Sequence, residues 1–513
     1  MSQGIVKAGI ENMKSPFRRI SLAFSTLLMA WMVNGQQALV IMNVRIIDGS
    51  GGPSAMGNVR IVGDQIDTFG HISPAPGDSI IDGEGLTLSP GFIDSHSHHD
   101  ADYTADHHLV PVISQGITTI VVGQDGSSNL PLGAFFDHLE QEPPAVNIAS
   151  YAGHNTLRWE VLGNSDYRRE ATADEIARMG QLLDQEMEAG ALGMSTGLEY
   201  DPGIYSSPGE VLSLAKHLKP YQGRYISHMR SEDVELENAI GEIINIGRTC
   251  QIPVQISHFK IGMKAKWGSA PALIARLNAA REEGVDITAD VYPYTYWMST
   301  LKVLFPKRDF TNREQAEYAL SELTTPDGML LSTYDANPDY VGKTIAEIAR
   351  ASGENPADTY LRLIRVADEK HGDESVIGTG MDEEDISLLY QWPETNVCSD
   401  GNGGSLHPRG YGAFPRFIRM YTRDSEVLSL EEAVHKMTGL TAQHLGIRDR
   451  GIIAPGKFAD LVLWDPQTIT DHATTAQPHA LCTGIKAVWV NGVQVWDGKD
   501  ASGALPGRVI RRE

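Results

Sequence analysis

The chain has 513 residues, 66 acidic and 42 basic, giving a formal charge of −24 with histidine neutral. At 41% hydrophobic and 21% charged it carries enough apolar material for a large core, which excludes wholesale disorder and collagen-like or mucin-like chains. The acidic balance argues against a broad nucleic-acid surface; three scattered cysteines, Cys250, Cys398 and Cys482, exclude a disulfide scaffold and a Cys-rich zinc motif, which leaves the 17 histidines as metal-ligand candidates.

Residues 1–36 read as a leader. The run ISLAFSTLLMAWMV from Ile20 to Val33 follows Lys14, Arg18 and Arg19 and precedes Gly35, the order of a secretory signal peptide. Its 14 residues fall short of the roughly 20 that a spanning helix needs. Export with cleavage is therefore expected, an uncleaved anchor and a buried segment being the other readings. No other segment is long and apolar enough to span a bilayer, so a periplasmic or secreted protein without stable membrane insertion after leader removal is expected.

Beyond the leader, LVIMNVRIIDG, GNVRIVGDQI and DSIIDGEGLTLSPG are short β-branched runs punctuated by Gly, Asp and Pro, and FADLVLWDP and GIKAVWVNGVQVWDGK repeat the pattern near the other end. Both ends are expected to share one small β domain, over residues 37–88 and 451–513. Between them, eight strand candidates run in order, LTLSPGFIDSH, TTIVVGQD, AVNIASYAGH, GALGMSTG, GRYISHMR, QIPVQISHF, VDITADVYPY and ETNVCSDG. Helical spacing in ADEIARMGQLLDQEMEAG and ELENAIGEIINIGR separates several of them. Repeated β/α units over residues 89–450 predict a closed (β/α)8 TIM barrel with its chemistry at the carboxyl ends of the strands. The stretch 301–378 exceeds an ordinary crossover and is expected to be an inserted helical lobe, either covering the site or decorating the surface.

Polar residues stand where those strands end. His96 and His98 are two apart in GFIDSHSHHD, so alternation sends both side chains to one side. His228 closes GRYISH, His258 closes PVQISH and Asp400 closes NVCSD. Four imidazoles and a carboxylate suit zinc, which activates water and polarises a carbonyl, and a second ion could share the water. Lys260 follows His258 in ISHFK and Arg409 follows Asp400 in HPR; a cation, above all a bidentate arginine, recognises a carboxylate. Solvated salt bridges are the plainer reading of both.

The chain resembles the N-acyl-D-amino-acid deacylase, or D-aminoacylase, family of the metal-dependent amidohydrolase superfamily from about Leu39 to Gly498. The resemblance rests on GFIDSHSHHD, YAGHNTLR, ALGMSTGLEYDPGIYS, HMRSE, ISHFK, DVYPYT, CSDG, HPRGYGAFPR, MTGL and GIIAPGKFADLVLWDP. It implies a metallo-dependent barrel with a small split β-sandwich domain, one or two zinc ions, and hydrolysis of the amide beside the free carboxylate of a D-amino acid. It also implies His96, His98, His228 and His258 as metal ligands, Asp400 as the catalytic acid and base that also touches metal, and Lys260, Tyr292, Ser299 and Arg409 around the substrate, with Tyr294 an alternative to Tyr292. In TTIVVGQDG the chain departs from the family, carrying Asp125 where relatives usually have Cys; Asp125 is then an oxygen ligand or a loop carboxylate. The bulky Tyr296, Trp297 and Met298 before Ser299 either wall the pocket or pack into the lobe, while His154 and Arg158 read as loop scaffolding. The partner implied is a small N-acyl amino acid or dipeptide, and a homo-oligomer is left open. A dipeptidase or other amidase for carboxylate-bearing amides is the nearest alternative, and a noncatalytic metal or small-ligand binding protein the one from another class.

Overall fold

The computed structural model of the protein describes residues 38–163 and 165–512. The leader expected over 1–36 lies outside the described residues, and among these no helix is long and apolar enough to cross a membrane.

Eight strands build the barrel: β1 Phe92–Asp94, β2 Ile117–Val122, β3 Asn147–Ser150 with its continuation Ala152–Gly153, β4 Gly193–Gly197, β5 Arg224–His228, β6 Val254–Ile256, β7 Ile287–Val291 and β8 Thr395–Val397. Each pairs with its successor in parallel. Closure falls beside the chemistry, where Ser97 bridges Gly401 in parallel, Asp400 N donates to His96 O at 2.8 Å and His98 N donates to Gly401 O at 2.9 Å. Because helices cover the outside and side chains fill the inside, the strands are buried on both faces, as the unbroken ITTIVV of β2 shows.

The crossover helices are sharply bounded by local chemistry. Ala173–Ala189 starts on a capping box of Thr172 and Glu175 and stops at Gly190 with φ of 111°. Its buried Met179, Leu183 and Met187 recur at the three-to-four spacing that lays one apolar face on the barrel. Behind β3, His154 Nε2 meets Glu210 at 2.9 Å and Arg158 Nη1 donates to the same carboxylate at 2.6 Å. This triad is fully buried and pins the helix His154–Leu162, which carries His154 and Arg158 where a loop was expected, to the helix Pro208–Ala215.

The chain ends meet in one eight-stranded sheet. Thr87–Pro90 pairs antiparallel with Leu461–Trp464, and the sheet folds over a core that includes Val44, Val59, Ile61, Leu88, Leu461 and Trp489. Since that joining strand runs to Pro90, the first half of the small domain extends slightly past the residue 88 expected.

The insertion differs from the helical lobe expected over 301–378. Helices Arg313–Tyr318, Ile345–Ser352 and Pro356–Lys370 accompany a three-stranded antiparallel sheet made of Tyr296–Ser299, Glu374–Thr379 and Met329–Tyr334, in that spatial order. The reason is local. YWMS and ESVIGT are aromatic and β-branched runs too short for helices, and opposite strands let each find a partner. Gly378 sits opposite Trp297 because a Cβ there would lie 2.3 Å from the indole.

Candidate metal centre and active site

The β-strand ends deliver the polar residues to one place. His228 is the last residue of β5, while His96, Asp125, His258 and Asp400 lie just past β1, β2, β6 and β8. Asp125, His258 and Asp400 all take left-handed backbone conformations, with φ of 52°, 34° and 49°. For non-glycine residues each costs on the order of 1–3 kcal/mol, a strain that clusters where side chains must be aimed. A Cβ on Gly197 at the end of β4 would lie 2.1 Å from the Asp125 carbonyl, so only glycine there admits the Asp125 loop.

Buried carboxylates beneath the floor hold these turns. Asp94 accepts from Ser399 N at 2.8 Å and from His96 N at 3.4 Å, and burial pushes its carboxyl up to about 7. Asp290 accepts from His258 N at 2.6 Å.

The ligand atoms fall into two joined sets. In the first, His96 Nε2 lies 3.5 Å from both Asp125 Oδ2 and Asp400 Oδ1, and His98 Nε2 lies 3.4 Å and 3.2 Å from the same oxygens. In the second, His258 Nε2 lies 3.3 Å from Asp125 Oδ1 and 3.1 Å from His228 Nδ1. Asp125 thus places one oxygen in each set. Within each set the donor atoms lie no more than 4.8 Å apart. Both ring nitrogens of His96 are buried without a hydrogen-bond partner among the described residues, an arrangement that costs free energy unless a further group completes it. Mixed imidazole and carboxylate donors at this spacing fit a divalent transition-metal cation.

Charge follows from the crowding. Burial opposes ionisation of Asp400, yet the adjoining Arg409 guanidinium and the neighbouring imidazoles hold its carboxyl well below the usual carboxylate range. Asp125 is lowered in the same way by His96 and His258 against the effect of burial.

Structure adds residues that the sequence reading did not single out. Glu199 Oε2 meets His228 Nε2 at 3.0 Å, and Glu232 Oε1 meets His258 Nδ1 at 3.0 Å. Glu232 also takes Lys260 Nζ at 2.7 Å on both oxygens. Lys260 is therefore a neutralised cation whose Nζ also lies 2.6 Å from His258 Nδ1. Glu232 ends the HMRSE motif and Glu199 lies in GLEY, but without the fold both read as solvated loop carboxylates.

Lys260, Tyr292 and Ser299 line a narrow cavity of about 40 Å³ with Asp400, Trp297 and Met298. Arg409 stands behind that wall rather than in it. Its Nη1 is 2.6 Å from Asp400 Oδ2 and its guanidinium lies 4.9 Å from the Tyr292 ring. Tyr292 Oη and Arg409 Nε are buried with no hydrogen-bond partner among the described residues. Tyr294 points elsewhere, its ring 4.7 Å from the Arg416 guanidinium.

A (β/α)8 barrel that gathers histidines and carboxylates at its strand ends, joined to a split β-sandwich, is the architecture of metal-dependent hydrolases. The amidohydrolase family model Amidohydro_3 matches residues 79–229 and 393–496. The N-acyl-D-glutamate deacylase of Alcaligenes xylosoxydans xylosoxydans is 34% identical over 93% of this chain and 96% of its own length. The crystal structure of N-acyl-D-glutamate deacylase from Bordetella bronchiseptica, complexed with zinc and a phosphonate mimic of the tetrahedral intermediate, superposes with a TM-score of 0.84 at 32% identity, covering 92% of this chain and 99% of that one. A D-aminoacylase with a binuclear metal centre superposes with a TM-score of 0.83 at 34% identity over 92% of this chain and 99% of its own. The chain belongs to the metal-dependent amidohydrolases, in the family that holds the D-aminoacylases and N-acyl-D-amino-acid deacylases.

Proposed function

We propose that this protein is a zinc-dependent hydrolase of N-acyl-D-amino acids that releases a carboxylic acid and a D-amino acid. The observation that carries the reading is the convergence of His96, His98, His228 and His258 on Asp125 and Asp400. The relatives act on such amides, and they match over nearly their whole length. Identity of 34% to a glutamate deacylase and 33% to a D-aminoacylase does not choose among amino acids.

Zinc would be held by His96, His98, Asp125 and Asp400 on one side and by Asp125, His228 and His258 on the other. When bound it supplies Lewis acidity toward a carbonyl and makes water more acidic. Asp400 supplies the proton traffic. Arg409 beside Oδ2 keeps the carboxylate ionised, and Asp400 would take the proton of the attacking water and return it to the departing amine nitrogen. The α-carboxylate of the substrate finds a donor in Tyr292 Oη, which has no hydrogen-bond partner among the described residues, with Ser299 and Lys260 at the same wall and the Arg409 guanidinium adding positive charge from behind the Tyr292 ring. Fixing that carboxylate and the scissile amide at once leaves the α-hydrogen and side chain in one handed arrangement, which is how a D-substrate is separated from its L-isomer.

Matched N-acyl-D- and N-acyl-L-amino acids, tested on protein with quantified zinc, decide the matter. Turnover of the D-series that disappears on chelation and returns with zinc is expected. Metal-replete protein that hydrolyses neither series, or only the L-series, overturns the reading.

A further inference from the structure

The catalytic cavity is not closed. It shares Glu199, Asp233 and Val303 with a second, larger cavity of about 930 Å³ that runs between the loops after β4 and β5 and the insertion. The walls of this groove are largely apolar, formed by Ile204, Pro208, Val234, Val303, Pro306 and Leu323. Val234 leaves 43% of its surface open, one of few large apolar side chains so exposed among the described residues. Arg230 is paired within the groove, donating to Glu242 at 2.9 Å from both Nε and Nη2, while Asp233, Glu235 and Lys307 stand among the apolar residues of its lining. A channel that joins a reaction site and exposes mainly apolar surface offers a hydrocarbon chain extensive contact.

Resting on the deacylase reading, we infer that the groove receives the acyl part of the substrate, so that the protein acts on D-amino acids N-acylated with long apolar chains. The amino-acid half is held by its carboxylate at Tyr292, with the Arg409 charge behind that ring. The acyl half departs from the other face of the scissile carbon, toward Val303. No natural α-amino-acid side chain fills a groove of about 930 Å³, whereas an extended acyl chain gains contact with every methylene added.

The test holds the amino acid constant as the one that turns over best among D-leucine, D-glutamate and D-aspartate, and lengthens the acyl group on it from acetyl through hexanoyl to decanoyl, using the full zinc-loaded protein. Each buried methylene is worth up to about fourfold in kcat/KM, so a steep rise with chain length is expected. Val234→Asp, a change at an exposed position, puts a carboxylate in the path of the chain. It should cut the decanoyl-to-acetyl ratio of kcat/KM by about tenfold or more, and Pro306→Asp from the insertion side should do the same. Turnover of the acetyl substrate with a flat or falling chain-length profile overturns the inference and leaves the deacylase reading standing. A ratio unmoved by both variants overturns the inference in the same way. Absence of turnover across the whole series in zinc-loaded protein overturns the deacylase reading and the inference with it.

Discussion

Behind His228 and His258 stand Glu199, Glu232 and Lys260, each within 3.0 Å of a ring nitrogen that faces away from Asp125. Behind His96 no hydrogen-bond partner is found for either ring nitrogen among the described residues, and the ring is held by packing against His98 and His258. The two halves of the cage therefore differ in how far they are built before a cation arrives. Carboxylates that hold the outer nitrogen of a ligand histidine fix its tautomer and orientation and strengthen the metal bond. The braced half offers Asp125, His228 and His258, three donors with a coordination position to spare, which suits a reacting centre. The unbraced half offers four donors, His96, His98, Asp125 and Asp400, and closes around its ion. The comparison teaches that the braced half should hold zinc more tightly and that the other half should depend on the ion for its own order.

The largest effect is expected at Asp400, which belongs to the unbraced half but does its work on a proton. Asp400→Asn should lower kcat by about 10²–10⁴-fold, while zinc in the braced half stays bound. Steady-state kinetics alongside metal quantification on the same sample checks both; near-normal kcat would remove Asp400 from proton transfer.

Next come the braces themselves. Glu232→Gln and Glu199→Gln should each weaken zinc binding by about 10–100-fold, read by competition with a chromophoric chelator. If affinity is unchanged in both, bracing does not separate the halves and the comparison collapses.

Asp125 joins the halves, and removing it should cost less than removing a brace and a ligand together. Asp125→Ala is expected to lower bound zinc from two ions toward one, whereas Asp125→Cys should keep both, since one sulfur can also reach both sides. Metal content after dialysis settles this; two ions in the alanine variant would show that Asp125 is a bystander.

Much of this was legible before any coordinates. Apolar runs ending in His96, His228, His258 or Asp400 mark strand ends, because period-two alternation and a polar terminus together have few other uses. The carboxylates behind the histidines were not legible. Glu199 and Glu232 lie in loops, and burial of a loop glutamate depends on which strand ends surround it. Arg409 was legible as a cation near the site but not as the partner of Asp400, because a helix start, Arg409–Ile418, swings it under the floor. The sheet in the insertion escaped notice because its strands are separated by three helices, so no local hairpin signal joins Tyr296–Ser299 to Glu374–Thr379.

The smallest effect is a proton count, and it reads both halves at once. Burial disfavours a charged imidazole, but in the metal-free cage hydrogen bonds to Asp125 and Asp400 outweigh it and push His98 up to about 10. Burial and Lys260 oppose the charge on His258, yet Glu232 and Asp125 push this ring up to about 10 as well. Both values exceed the ordinary 6.5, so the stability these pairs lend the metal-free fold is complete below pH 6.5 and is lost as pH climbs through about 10. Zinc needs the neutral ring, so at pH 8 each half should release about one proton as it loads, and zinc affinity should rise with pH until the rings are neutral. Titration calorimetry in two buffers of different ionisation enthalpy measures the count. Release from the first ion alone would place the charged histidine in one half only and sharpen the contrast between them; release of about one proton with each ion would confine that contrast to the braces.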